Sequence, residues 1–208
     1  MTYPSITNRG EFFSNHYLDA VVGGDLGDLR TAWDEAEDRS EPSARSSLRG
    51  AGSSFFAARA IASEATGDRA ADAIRSLNDV VLNALGFEPH RETLDLIRNT
   101  TDTLTLPVAA TAETGTGLWL VAIDAGLADS ADDLFDDDPT QAAGEDAEQQ
   151  SAGLLLEPGH RRADKKQIEA AADAVGELFA VDEPPRFVLV LGGRIVMLAE
   201  RATSPEGR

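Results

Sequence analysis

The chain contains no cysteine and only two lysines, Lys165 and Lys166. Without cysteine it can form no disulfide, no zinc–thiolate centre and no thiol nucleophile. Cations are scarce in general. Lys and Arg together number 18 against 37 Asp and Glu, a formal net charge of −19. DNA binding depends on Lys and Arg displacing counterions from phosphates, so this segment taken alone is a poor nucleic-acid binder. The strong preference of arginine over lysine fits a GC-rich genome or a salt-tolerant acidic proteome and carries no functional message. No apolar run approaches the roughly 18–20 residues needed to span a bilayer. The opening MTYPSITNRGEFF lacks the apolar core of a signal peptide. The expectation is a cytoplasmic protein with no membrane contact.

The 208 residues, 42 % of them hydrophobic, suffice for one domain or for one domain with a helical extension. The first part reads as helical. Phe12, Phe13, Tyr17, Leu18, Val21 and Val22 recur at helical spacing after the candidate cap Asn8. Gly23-Gly24 is expected to break that helix, with Asp25 capping the next one over Leu26, Leu29 and Trp33. Pro42-Ser43 opens a third helix. The clearest helix follows Asp68, with a stripe of Ile74, Leu77, Val81 and Leu85 and Gly86 at its end.

After Pro89 the pattern changes. Residues 93–98 are ambiguous between strand and short helix. TLTLPVAATA, residues 103–112, reads as a strand, with Pro107 arguing for an edge or a bend. The turn signal Thr-Gly-Thr-Gly at 114–117 precedes LWLVAI, a strand apolar on both faces as a central strand would be. From Asp129 to Gln150 the chain is acidic, with no Lys or Arg and only Leu134 and Phe135 as large apolar residues. Such a stretch cannot bury enough surface to offset its chain entropy, so a disordered insertion is expected at about 129–150. A helix capped by Asp164 follows, and then two apolar runs flank Gly192-Gly193, a hairpin signal.

The resulting expectation is a mixed α+β protein. Residues 1–66 form a helical N-terminal extension. Residues 67–202 form a helix–strand–strand–strand–helix–strand core, ordered like that of a restriction nuclease, with a C-terminal hairpin.

Asp124 stands at the end of LWLVAIDAG, where PD-(D/E)XK metal-dependent nucleases keep a metal-holding carboxylate. It is the one candidate catalytic residue. The acid-x-Lys pattern would need a basic residue at position 126, where Gly126 stands, and Leu106-Pro107-Val108 replaces the Pro-Asp of the preceding strand. The alternative is an acid that caps a turn at a strand exit.

No other pattern supplies chemistry. The acids of the 129–148 loop lack the spacing of a calcium-binding loop. His16, His90 and His160 form no paired motif, and no serine sits in a Gly-x-Ser-x-Gly elbow. The glycine pairs make neither a dinucleotide fingerprint nor a phosphate-binding loop. Arg45, Arg49 and Arg59 line part of the third helix. His160, Arg161, Arg162, Lys165 and Lys166 make the one concentrated basic patch, read as answering the acidic loop beside it.

Two stretches carry a resemblance. ITNRGEFFSNHYLDAVVGGDL, Ile6 to Leu26, resembles the opening of very large bacterial proteins common in actinobacteria. These are restriction–modification and phage-defence proteins of type IIG-like and DISARM-like kinds, built around an adenine-specific DNA methyltransferase. TLTLPVAATAETGTGLWLVAIDAG and DEPPRFVLVLGGRIVMLAERA are similar to strands of the nuclease-like region that precedes the methylase in such proteins. The chain has neither the glycine-rich S-adenosylmethionine loop nor an Asn-Pro-Pro-Tyr-like motif, and its one Pro-Pro is Pro184-Pro185.

The resemblance therefore implies a non-catalytic N-terminal module that scaffolds or contacts partner domains. It implies no metal or cofactor in this segment, with S-adenosylmethionine belonging to the parent protein. The implied partners are the methyltransferase domain or other subunits, with DNA reached only through the parent complex. Two other classes stay open. One is a stand-alone acidic interaction protein or DNA mimic, and the other is a metal nuclease centred on Asp124.

Overall fold

The computed structural model describes residues 6–8, 13–14, 16–66, 68–99, 102–115, 117–130, 132–134 and 171–201. The fold is mixed α+β. Three helices come first: α1 (Val22–Asp38), α2 (Ala44–Glu64) and α3 (Asp68–Leu85). Four strands follow: β1 (Glu92–Asn99), β2 (Asp102–Val108), β3 (Ala110–Thr114) and β4 (Gly117–Ala128). Helix α4 (Ala171–Phe179) leads into β5 (Phe187–Gly193) and β6 (Ile195–Glu200). The candidate cap Asp164 and the basic patch at 160–166 lie outside the described residues, as does most of the acidic segment.

Gly23-Gly24 does not break the first helix. A wide π-helical turn at Tyr17–Val21 runs straight into α1, which passes through both glycines. Each glycine costs only about 1 kcal/mol relative to alanine, too little to stop a helix whose later turns carry Leu29, Arg30, Ala32, Glu35 and Ala36. Helix α2 starts as expected after Pro42. Ser43 caps it, accepting from the Ser46 amide, while the Ser46 hydroxyl accepts from the Ser43 amide. Helix α3 ends where glycine allows the left-handed turn, with Gly86 at φ 86°.

Strands β3, β4, β5 and β6 form one sheet in that order. β4 and β5 are parallel and joined through α4; the other two pairings are antiparallel. β1 and β2 form a separate antiparallel hairpin. The single strand expected at 103–112 is thus two, parted at Ala109. The Ala109 amide donates to the Ala122 carbonyl at 2.7 Å, and its own carbonyl accepts from the amides of His90 and Arg91. The bend carries the hairpin over one face of the sheet.

Period-2 alternation then sorts the strands onto two faces. Val121, Ile123, Val188 and Val190 pack with hairpin residues Leu104, Leu106 and Val108 and with Ala174, Leu178 and Phe179 of α4. Leu120, Ala122, Leu189 and Leu191 face the other way, against Leu82 and Val81 of α3. α3 also buries Ile74 and Leu77 in a cluster with Ala62 and Phe55 of α2 and Leu127 of β4. Helix α3 is therefore covered on two sides, while Leu85, read as part of its stripe, stays 38 % exposed.

The hairpin turn is shifted by one residue from the Gly-Gly reading. Gly192 still pairs with Ile195, so the two-residue loop is Gly193-Arg194. Gly193 has φ 68°, and a Cβ built there would lie 2.5 Å from Leu127 Cδ2. Both facts favour glycine at that position.

Candidate functional site

Asp124 is not at a strand exit. β4 runs on to Ala128, and the pairing with β5 slips between Asp124 and Ala128. Asp124 lies inside this strand on the α3 side, only 7 % exposed. A buried carboxylate must be paired and hydrogen-bonded, and its partners are distant in sequence. Arg91 Nε donates to Asp124 Oδ2 at 2.9 Å, and Arg91 Nη2 reaches Oδ1 at 3.5 Å. Asn78 Nδ2 donates to Asp124 Oδ1 at 2.9 Å. Both oxygens are engaged by these two side chains.

The network extends beyond Asp124. Asn78 is fully buried on α3. Its amide nitrogen also donates to the Leu191 carbonyl at 3.1 Å, and its Oδ1 accepts from the Gly193 amide at 3.2 Å. Asn78 thereby holds the end of β5 and the tight turn beneath α3. Arg91 Nη2 donates to the Arg75 carbonyl at 3.0 Å. Arg91 Nη1 lies 2.6 Å from Asp79 Oδ1. The two opposite charges form an ion pair there. Burial works against the Arg91 cation, but the charge and hydrogen bonds of Asp124, with Asp79 beside it, outweigh this and raise its pKa.

Local chain geometry explains why Arg91 arrives here. Phe87 closes the end of α3 onto the Leu82 carbonyl, and His90 and Arg91 hang from the Ala109 carbonyl at the bend between β2 and β3. Arg91 is thus held at the start of β1, facing α3 and β4. Sequence reading missed Asn78, Asp79 and Arg91. One signal was available: Ile74, Asn78 and Leu82 are spaced by four, so the sheet-facing row of α3 carries a single amide among aliphatic residues. Nothing near Arg91 marks it.

The other candidates do not join this cluster. His90 sits beside Glu92 at 3.2 Å and Thr111 at 3.2 Å, and His16 is exposed ahead of α1. His160 lies outside the described residues. Among the described residues no group of three or more His, Cys, Asp or Glu is placed to hold a metal ion. In the acidic segment, Asp133 accepts from the amides of Asp129 and Ser130 and from the Ser130 hydroxyl. Partial burial opposes its charge, and these hydrogen bonds outweigh that and lower its pKa. Asp129 is ion-paired with Arg194 of the tight turn.

Arg45, from the basic face of α2, is drawn into a second network. It donates to Glu37 through Nε at 3.1 Å and Nη2 at 2.7 Å, and to Asp34 at 2.6 Å. Ser43 Oγ donates to the same Glu37 at 2.5 Å. The bonds from Arg45 and Ser43 hold the Glu37 carboxyl at about 2, against an ordinary value of 4.5. A depressed carboxylate stabilises the folded form above its unfolded pKa, and that contribution fades as pH falls through the folded value. NMR titration of Glu37 is expected to give a midpoint near 2. In Arg45→Met the midpoint should return towards the ordinary carboxylate range. An unchanged midpoint would remove Arg45 as the cause.

Fold and site together define a mixed α+β protein whose sheet and third helix are pinned by an internal Asn–Asp–Arg network. No helix among the described residues is long and apolar enough to cross a membrane. Comparisons with protein-family models, with curated proteins and with solved structures each find no match.

Proposed function

We propose that this chain is a non-catalytic scaffold and partner-contact module of a DNA restriction–modification or phage-defence methyltransferase. The methyltransferase part of the reading rests on the resemblance of Ile6 to Leu26 and of the strand segments around β4 and β5. The element order from α3 to β5, with β4 and β5 parallel across α4, is compatible with a nuclease-like core.

The non-catalytic part rests on one observation, the position of Arg91. A metal nuclease needs carboxylates that converge on a divalent cation. Here Asp79 of α3 and Asp124 of β4 converge on the guanidinium of Arg91, at 2.6 and 2.9 Å. A fixed cation of the chain itself fills the position between them. Gly126 stands where the nuclease lysine would be. S-adenosylmethionine and target-base chemistry then belong to the parent methyltransferase, and DNA is met only through that complex.

The adjacent reading frame tests the lineage. It should encode a glycine-rich cofactor loop and an Asn-Pro-Pro-Tyr-like motif, in frame or nearby, and their absence defeats the proposal. A DNA cleavage assay with Mg²⁺ or Mn²⁺ tests the chemistry. The expected result is no cleavage; cleavage that disappears in Asp124→Ala would instead establish the metal nuclease.

The net charge of −19 favours a second reading, an acidic protein that mimics DNA. Against it, several acids are already answered internally: Asp34 and Glu37 by Arg45, Glu177 by Arg98, and Glu200 by Arg186. A mimic needs its acids presented outward in an ordered array.

A further inference from the structure

Helix α1 is amphipathic, yet it buries none of its residues. Val22, Leu26, Leu29 and Trp33 are spaced i, i+4, i+7 and i+11, the pattern of a stripe made for packing against another helix. Leu26 is 37 % and Leu29 42 % exposed, while Val22 and Trp33 are partly covered. Among the described residues, the polar contacts between α1 and α2 gather at their connection, through Asp34, Glu37, Ser43 and Arg45. Further along α1 the stripe stays open.

The rest of the helix circumference is acidic. Asp25, Asp28, Asp34, Glu35, Glu37 and Asp38 stand on α1 with one cation, Arg30. Although Arg45 of α2 answers Asp34 and Glu37, the helix surface keeps an excess of acid in Asp25, Asp28, Glu35 and Asp38. This charge decides what can cover the stripe. A second copy would bring its own net charge of −19 against the first, and like charge opposes that association. An anionic membrane surface is disfavoured for the same reason. An occupant with cations beside its apolar residues gains on both counts.

We propose that the Val22/Leu26/Leu29/Trp33 stripe of α1 docks a basic amphipathic helix of a partner protein. The proposal rests on the partner-contact role above and gives that partner a chemistry; it does not depend on the partner being a methyltransferase. Leucine-spaced residues of the partner lie along the stripe, and its Lys and Arg flanks meet the acids of α1. Helix-in-groove recognition of this kind reads anchors at i, i+3, i+4 and i+7.

Trp33 and Trp119 are the two tryptophans of the chain, so Trp119→Phe leaves a reporter within the stripe. The full chain carrying that change would be titrated with three synthetic peptides of about five helical turns. One is an amphipathic helix of leucine, lysine and arginine. The second is a scramble of the same composition with no apolar face. The third replaces the basic residues with glutamate. The first is expected to shift Trp33 emission to shorter wavelength, saturate, and weaken as salt rises. In Leu26→Ser/Leu29→Ser its dissociation constant should rise at least about tenfold, the loss expected when two half-exposed leucines no longer contribute burial. Unchanged helical circular dichroism shows that this variant is folded.

Equal binding of the scrambled or the acidic peptide overturns the proposal, as does unchanged binding to the serine variant. Sedimentation that shows a dimer lost in the serine variant overturns it in favour of a second copy. The two levels of the reading fail separately. If the neighbouring methyltransferase co-purifies equally with the serine variant, the stripe is wrong and the module reading stands. If the basic peptide binds the stripe but no methyltransferase is encoded nearby, the docking site stands without that lineage.

Discussion

Replacing Arg91 with methionine is expected to destabilise the fold by about 3–5 kcal/mol, the range found when one partner of a buried ion pair is removed. The large effect comes from what is left behind. Asp124 would remain in the interior with only Asn78 to answer its charge. The Arg75 carbonyl and Asp79 would lose their cation as well. Chemical denaturation of the variant and the parent measures the difference. Removing both charges, as in Arg91→Met with Asp124→Leu, should recover much of the loss, because a buried pair replaced by apolar groups is often near neutral. A single variant as stable as the parent would show that the network contributes nothing. A double variant no better than the single would show that the penalty is lost packing of the arginine stem rather than an orphaned charge.

The second large effect is expected at Asn78. Leucine keeps the branched skeleton of asparagine, is bulkier, and would match the aliphatic row of α3 in polarity. Yet Asn78→Leu would strip partners from the Leu191 carbonyl, the Gly193 amide and Asp124 together. Each unsatisfied buried polar group costs about 1–3 kcal/mol, so a total loss of about 2–5 kcal/mol is expected after the gain from the apolar side chain. Hydrogen exchange localises the effect. The Gly193 amide and the β5–β6 turn should lose protection first, before the face that packs on α4. The two substitutions share Asp124, so their effects should fall short of additive. Full additivity in a double-mutant cycle would mean that Asn78 and Arg91 act on separate parts of the fold.

Much of the fold was legible where a local cause is sufficient. Ser43 followed by Ser46 caps α2, Gly86 ends α3, and the unbroken apolar run from Leu118 to Ile123 makes a central strand. The errors fall where a local signal was weighed without its surroundings. Gly23-Gly24 was read as a break, yet the helix continues because two glycines lower its stability without removing its hydrogen bonds. Gly192-Gly193 was read as the loop, yet Gly192 stays in register opposite Ile195 and the turn closes on Gly193. The bend at Ala109 falls two residues after Pro107, which argued for an edge or a bend without placing it. It exists because the hairpin must cross to the other face of the sheet to cover Val121 and Ile123.

Asp124 shows the same limit in the candidate site. Neither sequence reading, metal ligand or turn cap, included a pairing with Arg91 and Asn78. The composition by itself determined the acidic, cysteine-free character, and periodicity determined a mixed α+β chain with a central strand that includes -Ile-Asp-Ala-Gly-. Those properties are sums or short-range patterns, and they need no knowledge of contacts. The role of the acid was decided only in three dimensions. Its partners lie 46 and 33 residues away along the chain, and folding brings both within hydrogen-bonding distance. A charge in a protein interior answers to the groups around it in space, and these are set by the packing of α3 on the sheet and the bend that delivers Arg91.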